Sequence, residues 1–111
     1  MTRSNDQRLD DLYETAYKLA ILVSKGKENF LSEFESQWAI ERALHNIGEF
    51  CTHLSAEYKS LYPDIAWKEI IGMRTQLAHA YHQIDETIVW NAASVSVPAL
   101  IKTLQRVQEK D

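Results

Sequence analysis

Three glycines and two prolines are the only strong breakers in this chain of 111 residues, and that scarcity limits what it can become. Set among many Leu, Ala, Glu, Gln and Lys residues, it favours long helices over the frequent turns of a β-sandwich. The apolar pattern agrees. From Asn5 to Ser24, Leu9, Leu12, Tyr13, Ala16, Leu19, Ala20 and Val23 recur every three or four residues, which gathers them on one helical face. Gly26 is placed to stop that helix, and Asn29 or Ser32 to cap the next. Phe34, Trp38, Leu44, Ile47, Cys51, Leu54 and Tyr58 keep the helical period without a proline, so a second helix is expected from about Ser32 to Lys59. Gly48 inside it costs about 1 kcal/mol relative to alanine and is expected where another helix comes close.

Pro63 separates that helix from a third, expected from about Ile65 to Ala80 with Asp64 as its cap and Ile70, Met73 and Leu77 facing inward. Asp85 is set to cap a fourth, with Ile88, Val89, Trp90, Val95, Leu100, Ile101, Leu104 and Val107 on buried faces. Pro98 should kink or split it near Val97. The expected fold is all-α: an antiparallel up-and-down bundle of four to five helices, forming one domain over residues 1–111.

Cys51 is the single cysteine, so no intrachain disulfide can form, and the Cys and His pattern matches no structural zinc site. No metal is expected, and a reducing compartment fits. The polar start MTRSNDQRLDDLYE lacks the apolar stretch of a signal peptide, and no later apolar run approaches the ~20 residues that span a bilayer. A cytoplasmic protein with no membrane partner is expected. The net charge of −4 argues against a broad nucleic-acid surface, so any RNA contact must be local.

One cluster, MRTQLAHAYHQID from Met73 to Asp85, brings a fixed cation, two imidazoles and a phenol within nine residues. Metal-free RNA cleavage needs a base for the ribose 2′-OH proton, an acid for the leaving oxygen, and positive charge at the phosphorane. His79 suits either proton transfer, since imidazole titrates near neutrality. Arg74 suits the charge with its forked donors. Tyr81 suits phosphate positioning or base stacking. On an ideal helix His79 is rotated about 140° from Arg74, whereas Tyr81 falls within roughly 20° of it. Either the helix ends or distorts around Ala78 to Ala80, or His79 meets its partners across a symmetric interface, two copies forming one composite site.

Plainer roles exist for each residue. Arg74 is equally at home on a helix surface beside Glu69 or Asp85, His79 as a partly buried histidine, and Tyr81 as an aromatic at the core rim with a wet hydroxyl. Trp38, Trp67 and Trp90 are taken as core or interface anchors. His45 and His53, two turns apart, are too distant to share a metal ion. Glu49 between them is a helix-face or inter-helix acid, or a supporting group of the site. His82 only flanks it.

The spacing of Arg74, His79 and Tyr81 resembles the signature of HEPN ribonucleases, in particular the HepT toxins. WAIERALHNIGE (38–49), YPDIAWKEIIGMR (62–74), HAYHQID (79–85) and VW followed by VPALI (89–101) resemble that family in order and spacing. The resemblance runs from about residue 8 to residue 106. It implies a dimerising helical bundle whose paired motifs line a cleft, and metal-independent RNA cleavage. It also implies a minimal nucleotidyltransferase antitoxin that moves AMP from ATP, its own substrate and no cofactor of this chain, onto the motif tyrosine, here Tyr81. The added phosphate would place negative charge where RNA phosphate must sit. The family usually has asparagine after the arginine; here Thr75 lacks that amide. The alternative is a non-catalytic helical partner of a nucleotidyltransferase that helps bind nucleotide or substrate.

Overall fold

A computed structural model describes residues 4–79 and 85–110, with the side chains of 74–79 and 106–110 excepted. The first helix, α1 (Asn5–Val23), opens with a reciprocal cap. The Gln7 amide donates to Ser4 Oγ and the Ser4 amide to Gln7 Oε1, satisfying two donors that a helix start leaves unpaired. Leu9, Leu12, Ala16 and Leu19 are buried, with Tyr13 and Val23 at the margin. Ala20, expected inside, is exposed. Gly26 ends the segment at φ +96°, a conformation that a Cβ disfavours.

The single helix expected over Ser32 to Lys59 is three: α2 (Lys27–Ser32), α3 (Phe34–His53) and α4 (Ala56–Ser60). Glu33 is extended (φ −111°, ψ 113°), and Ser32 ends α2. Asn29 caps nothing downstream; its side chain accepts the Ser36 hydroxyl and ties α2 to α3. The second break lies at Leu54, where ψ turns to 143°. Ser55 then starts α4 by accepting the Tyr58 amide at 3.1 Å, the ordinary work of an N-cap serine.

α5 (Trp67–His79) begins three residues after Asp64, later than expected. The Trp67 indole donates to the carbonyls of Lys59 and Tyr62, both at 3.1 Å, and Lys59 Nζ donates to the Cys51 carbonyl at 3.2 Å. These bonds pin the start of α5 beside the end of α3, so α5 returns along it. α6 (Glu86–Asn91) is capped by Asp85, which accepts the amides of Thr87 and Ile88, as expected. A π-helical turn at Ala92–Ser96 leads into α7 (Val97–Lys110). Pro98 has no amide to continue the regular ladder, and the Val97 amide reaches back five residues to the Ala92 carbonyl. The kink or split foreseen near Val97 is instead a π-helical turn in a run that stays helical on both sides.

Among the described residues the regular elements are all helical, and the fold is the expected all-α, HEPN-like bundle. α3 runs through the middle with α1 and α5 against it, and the α6 to α7 run packs on α1 and α2. Phe30 and Trp90 stack across that last junction, centroids 5.4 Å apart. Val89, Ala92, Ala93, Val97, Leu100 and Leu104 form the inward row. Val95, half a turn from both Ala93 and Val97, is 57% exposed and Ile88 is 53% exposed, contrary to expectation. The stretch Glu86–Gln105, with mean hydropathy 1.2, is long and apolar enough to span a bilayer, which was also not expected. Its inward row is core of the bundle, and 33% of the apolar stretch is buried.

Candidate active site

The motif sits where α5 gives way to α6. α5 is helical through His79, so the backbone positions of Arg74 and His79 are about 7.5 Å apart along the axis and about 140° apart around it. The expected end or distortion around Ala78 to Ala80 runs into residues that lie outside the described ones. The side chains of Arg74, Thr75 and His79 lie outside the described residues, as do Tyr81 and His82 altogether, so their mutual geometry, and any Arg74 pairing with Glu69 or Asp85, is not given.

The surroundings are given. Gln37 Nε2 donates to Glu86 Oε1 at 3.5 Å, and burial, with the nearby Glu86 charge second, raises the Glu41 carboxyl above its usual range. The start of α6 therefore lies beside residues 37–41 of α3. Cys51 marks the opposite end of the α3–α5 pair, its thiol pushed by burial up to about 12 against a lowering pull from Lys59, which makes it a core residue and a poor nucleophile. Glu49 lies on the part-covered flank of α3, its Oε1 3.0 Å from His53 Nε2. His53 is thus engaged by Glu49 one turn away. His45 Nδ1 is buried and has no hydrogen-bond partner among the described residues. Trp67 and Trp90 are half-buried anchors, but Trp38 is 68% exposed and belongs to no core.

An open groove of about 850 Å³ runs between α5 and the α6 to α7 segment, from Ile65 past Glu69 to Met73 on one side and along Ile88, Val95 and Ala99 on the other. Asp64 and Glu69 outnumber Lys68 among its described lining, which suits a polyanion poorly.

Against this geometry the comparisons with known proteins are specific. The family pattern described as "Ribonuclease HepT-like" matches residues 12–107. The chain belongs to the HepT-like ribonuclease family. It is 30% identical over 110 residues to the "Probable ribonuclease HepT" of Thermococcus cleftensis, covering 98% of this chain and all of that protein. It is 31% identical over 78 residues to the "Putative RNase MJ1380" of Methanocaldococcus jannaschii, covering 70% and 72% of the two chains. A third relative, "Putative RNase TTE0752" of Caldanaerobacter subterraneus, is 31% identical over 84 residues, covering 76% and 75%. No solved structure matches the chain. The sequence reading did not single out Glu41; it set Phe34 and Trp38 in the apolar row of the helix and took Trp38 as a core or interface anchor, and both rings are exposed. A signal for the pair was present, since both aromatics fall on the flank of α3 turned away from Ile40, Leu44 and Ile47.

Proposed function

We propose that this HepT-like chain is a cytoplasmic ribonuclease toxin that cuts RNA without a metal ion, as a homodimer with a composite site. The observation that carries the reading is the Arg74, His79 and Tyr81 spacing within a family match that spans the motif. In the reaction the 2′-oxygen attacks the adjacent phosphorus and loses its proton to a base. The bond from phosphorus to the 5′-oxygen breaks, and that oxygen takes a proton from an acid. His79 serves as the acid or base, Arg74 stabilises the phosphorane, and Tyr81 positions the phosphate. Thr75 and His82 support the site, whereas Glu49, tied to His53 and about ten residues along α3 from the level that His79 reaches, keeps its helix-face role. Two copies bring two arginines together, which answers the problem that a net charge of −4 poses for RNA binding.

Silencing follows from the same chemistry. A minimal nucleotidyltransferase antitoxin would join the Tyr81 oxygen to the α-phosphorus of ATP and release pyrophosphate, leaving a bulky anion in the cleft. Thr75 and the acidic charge favour a second reading, a non-catalytic partner that helps such a transferase bind nucleotide or substrate. The deciding experiment incubates purified protein, shown unmodified by mass spectrometry, with total RNA and tRNA in EDTA. Cleavage by the wild type, lost by a factor of about 10² to 10⁴ in His79→Ala and also lost in Arg74→Ala, is the expected result. Intact RNA with the wild type rejects the catalytic reading for those substrates in favour of the binding module.

A further inference from the structure

We infer that two copies of this chain pair through the N-terminal half of α3, about a two-fold axis crossing α3 at Trp38, with Glu35 of each copy opposite the partner's Arg42. The inference rests on the composite-site reading above and names the surface that builds it. Phe34, Trp38, Glu41, His45 and Glu49 follow one another along a single flank of α3 at steps of three and four. Glu41, His45 and Glu49 are part-covered, whereas Phe34 is 54% exposed and Trp38 68% exposed. These two rings pack edge to face, centroids 5.0 Å apart, and leave a bare aromatic step of the kind that anchors interfaces.

Its position matches the motif. With Trp67 held beside the end of α3, the backbone of α5 climbs about 18 Å to His79, which brings it level with residue 39 or so of α3. The bond between Gln37 and Glu86 places the start of α6 at the same level. The charges select the arrangement. Glu35 and Arg42 are both exposed and stand three residues before and four after Trp38. Reversing one α3 against another about Trp38 sets each Glu35 against the partner's Arg42, while a parallel pairing sets like against like. Symmetry points the same way. A two-fold perpendicular to α3 leaves both α5 helices on one side of the interface, so the motifs converge; a two-fold along α3 puts them on opposite sides.

The test is sedimentation of the full chain and of Trp38→Ala, Glu35→Arg, Arg42→Glu and the double charge swap, with circular dichroism confirming that each is folded. The dimer is expected in the wild type, weakened about thirty-fold or more by Trp38→Ala, weakened by each single charge reversal, and restored by the double swap. A monomeric wild type, or a dimer indifferent to all four variants, overturns the inference. This readout needs no RNA. A dimer with the expected variant pattern but no cleavage would sustain this face and sink the ribonuclease reading alone.

Discussion

Glu41 shows how much one carboxyl can report about this fold. Burial and the neighbouring Glu86 raise its pKa in the folded state, so the unfolded chain ionises first as the pH rises. Its favourable contribution is therefore complete below the ordinary glutamate value of 4.5 and is lost as the pH climbs through the raised one. Glu41→Gln should be more stable than the wild type at neutral pH, by a margin within about 0.5 kcal/mol for a part-covered carboxyl that solvent still screens. Thermal melts at pH 7 and in acid would check it, with the advantage vanishing in acid. No neighbour of Glu41 along the chain reveals this strain, because Glu86 is remote in sequence and only the fold brings it near. Arg74, His79 and Tyr81 stand out in the sequence for the opposite reason: their spacing is local and their chemistry belongs to the side chains themselves.

The helices separate in the same way. α1, the Asp85 cap and the π-helical turn before Pro98 follow from residues within a turn of each feature; the first two were foreseen, and the third stands where a kink or split was expected. The continuous helix over 32–59 was not what formed, because periodicity persists across a break when both flanking helices bury the same side. Glu33 and Leu54 are unremarkable residues in extended conformations, and what stops the helices is the link from Ser36 to Asn29 and the cap at Ser55. Ile88 and Val95 were misplaced because an apolar side chain on a helix need not face the core. The cap closest to the motif carries its own expectation. Asp85→Ala removes the acceptor for the Thr87 and Ile88 amides and should cost about 1 kcal/mol, measurable by urea unfolding.

For the whole molecule, extents of 42 × 27 × 27 Å describe an elongated bundle with the motif displaced from the α3–α4 junction toward the start of α3. If two copies meet there, folding and association are linked, and the melting temperature should rise with protein concentration. A melting point constant over a hundred-fold range of concentration would count against a dimer. The three tryptophans give this behaviour an optical signature. Trp67, held by two carbonyls, and Trp90, stacked on Phe30, already sit in partly apolar surroundings, so their emission should lie to the blue and shift only when the chain unfolds. Trp38 faces water and should emit to the red, moving blue on assembly alone. A single fluorescence spectrum would thus separate the monomer, the pair and the unfolded chain without any label.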